Sequence, residues 1–180
     1  CFLGSRISEV KKMLPVFEKI VFLLQQKKDD IKFIFVVAEN LNYNSFCQRA
    51  KDYNLLEGSK LEFVHGKSLE VMARSSLAIV TSGTATLECA LLKTPMIVVY
   101  KMNSLSYFIA RKKVRVPWIS LVNLVLDRLS VSEYIQDFKE KEIADEALKL
   151  LTSSDRHSKM LDDFDQLRSL LSEGGSFLAA

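Results

Sequence analysis

An α/β fold built on a parallel sheet with helices on both faces is the class this sequence predicts. Three observations lead there. Short, continuous apolar runs at residues 32–38, 77–80 and 96–99 have strand length and no polar alternation, as strands buried on both faces do. Over residues 1–99 such runs alternate with stretches of helical spacing, the pattern of βαβ units. Small-residue turns follow the strands, Gly4-Ser5-Arg6 and Thr81-Ser82-Gly83-Thr84 above all.

Taken in order, Phe2-Leu3-Gly4-Ser5-Arg6 reads as a strand end entering a turn. Ser8 is the expected cap of a helix whose apolar residues Ile7, Val10, Leu14, Phe17, Val21 and Leu24 recur at helical spacing. Pro15 predicts either a kink or a fresh helix start. Asp29-Asp30 closes that segment and 32–38 forms a strand. Residues 40–44 read as a loop, 46–53 as a helix and 61–64 as a strand ending at His65-Gly66. A short helix over 69–74 leads into the strand 77–80. Its turn opens a helix running to Leu92, and Pro95 precedes the strand 96–99. Beyond lie a basic and aromatic segment, a polar junction around Asn123 and a short helix near 131–136. Two helices, 140–151 and 155–171, precede a Gly-rich tail over 172–180.

Composition bounds the rest. At 180 residues one domain is expected, and 48% hydrophobic with 26% charged residues suits a globular protein with a real core. A net charge of +3 is too mild to argue for nucleic acid. No apolar run reaches the ~18 residues of a membrane span. Cys1, Cys47 and Cys89 are far apart with no C-x-x-C pair, so neither a zinc site nor a disulfide framework is indicated, and a reducing cytosol fits. Cys1-Phe2-Leu3 lacks the basic lead of a signal peptide, and the missing initiator Met predicts a piece of a larger protein.

Parallel sheets bind ligands outside the carboxyl ends of their strands, so the turns after Leu3, Ala38, Val64, Val80 and Val99 should share one rim. Ser82, Gly83 and Thr84 at a strand-to-helix junction either leave amides open for a phosphate or cap the helix themselves. Thr84 and Glu88 are one helical turn apart, ~6 Å along the axis, about the step from a phosphate to a ribose hydroxyl. Glu88 is otherwise a solvated helix residue. Arg6 is suited to gripping a diphosphate through two parallel hydrogen bonds, or is simply a surface cation. Lys101 and His65 occupy rim positions where an anion or a base would sit; a solvated lysine and a structural histidine are the alternatives. No metal site is expected, since Asp162, Asp163 and Asp165 read as a solvated helix face. Neither G-x-G-x-x-G nor a Walker motif is present, which disfavours dinucleotides and ATP hydrolysis. The segment 105–118, from Leu105 to Trp118, mixes aromatics with four basic residues and is a candidate contact for an anionic membrane surface.

With these residues in view, the chain resembles the C-terminal half of the lipid A disaccharide synthases, family 19 glycosyltransferases of the GT-B fold. The matching pieces are Gly4-Ser5-Arg6 with Ser8-Glu9-Val10, then Leu14, Pro15 and Phe17, then Thr81-Ser82-Gly83-Thr84-Ala85-Thr86-Leu87-Glu88. Pro95-Met96-Ile97-Val98-Val99-Tyr100-Lys101-Met102, Ile119-Ser120-Leu121-Val122-Asn123-Leu124 and Val131-Ser132-Glu133-Tyr134-Ile135-Gln136 complete the set. The resemblance covers about residues 1–136 and implies a Rossmann-like nucleotide-sugar-binding domain there, with helices over 137–171 packing on or beyond it. It implies inverting, cofactor-free and metal-independent transfer of 2,3-diacylglucosamine from its UDP-sugar to 2,3-diacylglucosamine 1-phosphate. The expected place is the cytoplasmic face of a Gram-negative inner membrane. Gly4, Ser5 and Arg6 would lie in the diphosphate loop, with Arg6 stabilising the departing UDP. Ser82, Gly83 and Thr84 would present the helix N-terminus, Glu88 would take the ribose, and Asn123 and Gln136 would line the donor cleft. The acceptor pocket and the general base belong to an N-terminal domain absent from this chain. Leu3, Val122 and Ser132 stand where the family usually has Pro, which would loosen turns without removing a functional group. Other readings are a different GT-B enzyme such as a UDP-N-acetylglucosamine 2-epimerase, or a non-catalytic remnant that keeps a homodimer contact.

Overall fold

The computed structural model of the chain describes residues 1–55, 58, 60–101 and 118–177. Five strands appear among them: β1 (Phe33–Val37), β2 (Leu61–His65), β3 (Ala78–Val80), β4 (Met96–Tyr100) and β5 (Ser132–Ile135). The helices are α1 (Ile7–Lys27), α2 (Tyr43–Lys51), α3 (Ser68–Arg74), α4 (Ala85–Leu91), α5 (Leu121–Leu126), α6 (Glu140–Thr152) and α7 (Ser154–Phe177). Every strand pair is parallel: β1 with β2, β3 with β4, β4 with β5.

Phe2 joins the two groups of strands. It bridges Val36 on one side and Val80 on the other. Its N–H donates to Ile79 O (2.9 Å), its carbonyl accepts from Thr81 N–H (2.9 Å), and Val36 N–H donates to Cys1 O (3.0 Å). The sheet therefore runs β2, β1, Phe2, β3, β4, β5. Numbered by chain order, that is the doubly wound sequence 3-2-1-4-5-6, with its reversal between Phe2 and β3.

Why these residues make such a sheet is legible in their burial. Met96, Ile97, Val98 and Val99 are all buried, as are Ala78, Ile79 and Val80, so consecutive side chains on both faces are covered. On the β1 side an aromatic chain fills the core, with Phe17 and Phe46 edge-on to Phe35 and Phe63, and ring centroids 5.5 to 6.1 Å apart. α1 packs against α6, whereas α4 packs against α3, α5 and α7. Ile143, Ala144, Ala147 and Leu150 of α6 and Met160, Phe164 and Leu167 of α7 enter the same core as the sheet. Met96 N–H, at the start of β4, donates to the Met160 sulfur (3.4 Å), and Lys93 pairs with Asp165 (2.7 Å).

The structure differs from the sequence reading in three places. α1 runs unbroken through Pro15 and starts at Ile7, so Ser8 lies inside it. A proline inside a helix costs about 3 kcal/mol; here Leu14, Val16 and Phe17 are buried beside it and Lys11, whose carbonyl it strands, is exposed to water. Residues 132–135 form a strand and not a helix, because β4 offers them an open edge in the register Ile97 to Ser132 and Tyr100 to Ile135. Six residues are too few for the two periodicities to be told apart. The last helix also continues through Phe177, into the stretch expected to be a tail.

Phe35 is fully buried at the centre of the aromatic chain, so Phe35→Ala should destabilise the fold by about 3–5 kcal/mol, read as a lowered urea midpoint. Burial pushes the Cys89 thiol up to about 12, against a smaller opposing effect of the Cys1 α-amino group. Iodoacetamide at pH 8 should leave Cys89 unmodified in the folded chain and label it once urea unfolds the protein.

Candidate functional site

Two turns leave the sheet at its reversal. The first follows Leu3, which is buried, through Gly4, whose φ of +95° suits glycine alone. A Cβ there would also collide with Glu9 Oε2. Asn40 Nδ2 holds this turn by donating to Ser5 O (2.8 Å), and Arg6 is the N-cap residue of α1. The second turn follows β3 through buried Thr81 to Ser82, Gly83 and Thr84. Gly83, with a φ of +154°, accepts at its carbonyl from both Thr86 N–H (3.1 Å) and Thr86 Oγ1 (2.8 Å). Neither hydroxyl expected to cap α4 does so. Ser82 Oγ donates to Ile119 O (2.9 Å), and Thr84 makes no side-chain cap bond.

The turns face each other across a cleft of about 340 Å³. Gly4, Ser5, Arg6, Ser82, Gly83, Thr84 and Glu88 all line it, so these predicted residues converge on one place. Among the described residues no side chain bonds the half-buried Glu88 carboxylate. Arg6 is 78% exposed at the mouth and lies 3.6 Å from Glu9 Oε1, while Glu9 Oε2 accepts from Arg6 N–H (3.4 Å). Glu9 and Tyr100 also line it and were missed from the sequence as site residues. The available signal was position: Glu9 is one helical turn past Arg6, and Tyr100 ends β4 on the same rim. Burial chiefly, then the Glu9 charge and a hydrogen bond to it, push the Tyr100 hydroxyl above its ordinary range, and Arg6 opposes this. The hydroxyl therefore stays protonated as a donor.

Four predicted residues are placed elsewhere. Asn123 is fully buried, with Nδ2 donating to Val131 O (2.8 Å) and Glu133 Oε1 (2.7 Å). Its Oδ1 accepts from Ser130 N–H (2.8 Å) and Val131 N–H (2.9 Å), which leaves the amide nothing for a ligand. Glu133 also accepts from the Ile119 and Ser120 amides (2.8 and 3.0 Å), and Ile119 in turn holds Ser82. Asn123 thus anchors the cleft from behind instead of lining it. Gln136 has a left-handed backbone (φ +61°), and its N–H donates to Tyr100 O (2.9 Å). Lys101 turns towards Glu140 (3.9 Å) and the Phe138 ring (4.7 Å). His65 Nε2 bonds Leu41 O (3.1 Å) beside Tyr43, a structural tie from the end of β2 to the loop after β1. Leu3 and Val122, two of the positions where proline was expected, are fully packed core residues. Apart from Trp118, the segment 105–118 lies outside the described residues. Among those described, no cluster of His, Cys, Asp or Glu is placed to hold a metal ion, and no helix is long and apolar enough to cross a membrane.

Comparison with known proteins bears on this geometry. The family described as lipid-A-disaccharide synthetase matches residues 1–176. This chain belongs to that family. Within it, the chain is 34% identical over 172 residues to a lipid-A-disaccharide synthase of Nitrosococcus oceani, covering 95% of this chain and 43% of that protein. It is 37% identical over 174 residues to the synthase of Gloeothece citriformis (95% and 44% covered) and 32% identical over 179 to that of Hahella chejuensis (98% and 44%). This family member therefore spans less than half the length of the relatives it matches. A solved structure of an S. aureus TarM variant, in complex with fondaparinux, alpha-GlcNAc-glycerol and UDP, shares the fold. It matches with a TM-score of 0.53 at 12% identity over 88% of this chain and 29% of TarM. The likeness is one of fold, a parallel sheet with helices packed on it.

Asn123→Ala would leave two amides, a carbonyl and the Glu133 carboxylate each short of a partner. It should lower stability by about 2–4 kcal/mol, seen as a fall in thermal midpoint.

Proposed function

We propose that this chain is the UDP-sugar donor half of a lipid A disaccharide synthase. In the complete enzyme it would hold UDP-2,3-diacylglucosamine while the sugar passes to 2,3-diacylglucosamine 1-phosphate, giving the β-1,6 disaccharide and UDP. The observation that carries this reading is the meeting of Gly4-Ser5-Arg6 and Ser82-Gly83-Thr84 across one cleft at the reversal of the sheet. Two small-residue turns, each opening a helix, with an Arg at the mouth suit a diphosphate better than a single phosphate. Glu88, four residues along the helix from Thr84, would accept from the ribose hydroxyls. UDP is also among the molecules in the TarM complex of the same fold.

Chemically, this half binds and stabilises the leaving group. Arg6, exposed and weakly paired, would compensate the charge that builds on UDP as the glycosidic bond breaks. The acceptor pocket and the base that deprotonates the acceptor hydroxyl are assigned to the part of the relatives that this chain does not span. The working place would be the cytoplasmic face of the inner membrane, with residues 105–118 as the contact to anionic lipid.

Titration calorimetry with UDP tests the site. Arg6→Ala should weaken binding about 10–100-fold and Glu88→Ala about 5–10-fold, the range for losing charge-assisted hydrogen bonds. Unchanged affinity in both variants would remove the assignment. The 180-residue chain alone should form no disaccharide from the UDP-sugar and acceptor, and product above background would show that the base lies within it.

A further inference from the structure

Glu9 touches several of the other cleft residues. Its Oε2 lies where a Cβ on residue 4 would intrude, so its carboxylate is seated directly on the Gly4 turn. The same oxygen accepts from the Arg6 amide (3.4 Å), Oε1 lies 3.6 Å from Arg6 Nη1, and Tyr100, at the end of β4, lines the same cleft close enough to feel the Glu9 charge. Exposure separates the roles. The Glu9 side chain is 19% exposed against 78% for Arg6, so Glu9 is the fixed partner and Arg6 the free one.

A free arginine side chain carries up to ~2 kcal/mol of rotamer entropy, all of which opposes its capture by a ligand. A seated carboxylate beside one edge of the guanidinium removes part of that freedom and leaves the remaining N–H donors open. Taken with the donor-site reading, on which it rests, this arrangement has a consequence for the diphosphate. We propose that Glu9, seated on the Gly4 turn, is a positioning residue that holds the Arg6 guanidinium ready for the diphosphate of the donor.

Glu9 itself is an anion in a cleft meant for anions, so the alternative is a residue that only repels. The two make opposite predictions. The experiment is calorimetric titration of UDP and, separately, of uridine into the full chain carrying Glu9→Gln, Glu9→Ala, Tyr100→Phe, Arg6→Ala, and Arg6→Ala combined with Glu9→Ala. Thermal melts check that each variant is folded. Glu9→Ala should weaken UDP three- to tenfold, with Glu9→Gln and Tyr100→Phe milder because each keeps a side-chain oxygen at position 9 against the Gly4 turn. Uridine, which has no phosphate, should bind all the folded variants alike. In the Arg6→Ala background the Glu9 change should cost nothing further, since it acts through Arg6. Tighter UDP binding in Glu9→Ala, additive losses in the double variant, or equal losses for uridine and UDP would each overturn the proposal while the donor site stands. Failure of the unsubstituted chain to bind UDP would overturn both.

Discussion

The two strand groups, β1 with β2 and β3 through β5, meet through the backbone of a single residue. Phe2 and its neighbours hydrogen-bond to Val36 on one side and to Ile79 and Thr81 on the other, and the chain turns into α1 within four residues. Each such bond contributes only about 1 kcal/mol net. Their geometric consequence is larger. Because the central strand crosses to β1 in one direction and the chain later returns to β3 in the other, the two crossovers diverge and leave a crevice between them. Leu3 and Val80, both buried, lock the strand ends from which the Gly4 and Ser82 turns emerge. The cleft is a product of this topology before any side chain is considered.

The side chains then give it chemical character by what they leave undone. Ser82 is bonded away to Ile119, Thr84 does not cap α4, and Glu88 has no side-chain partner among the described residues. Backbone amides and one carboxylate are thereby left for something else. Behind the cleft every polar group of Asn123 is satisfied, which gives the Ile119 segment a fixed position from which to hold Ser82. Rigid support and unsatisfied lining are complementary: a site that binds without rearranging needs both.

Much of this was legible in the sequence, for identifiable reasons. β1, β3 and β4 are continuous apolar runs, and a short run bounded by turns has few other ways to be buried. The cleft turns are marked by glycines at positions that need a positive φ. What local pattern does not encode is which of two structures an edge segment adopts: residues 131–136 read as a helix, and β4 pairs 132–135 as a strand. It also does not encode which way a polar side chain faces. Asn123 looked like a ligand contact by resemblance and is an internal anchor, because Glu133, ten residues on, turns back to meet it. Lys101 and His65 sit near the expected rim, and their nearest partners, Glu140 and Leu41, draw them aside.

The central claim is that the reversal point of the sheet holds a nucleoside diphosphate. Amide chemical shifts of the isotopically labelled chain, followed as UDP is added, test it residue by residue. The account predicts that the largest, saturable shifts fall on residues 4–6 and 82–85, and that the amides of β2 and of α6 stay still. Shifts confined to other parts of the surface, or none at all up to millimolar UDP, would contradict it.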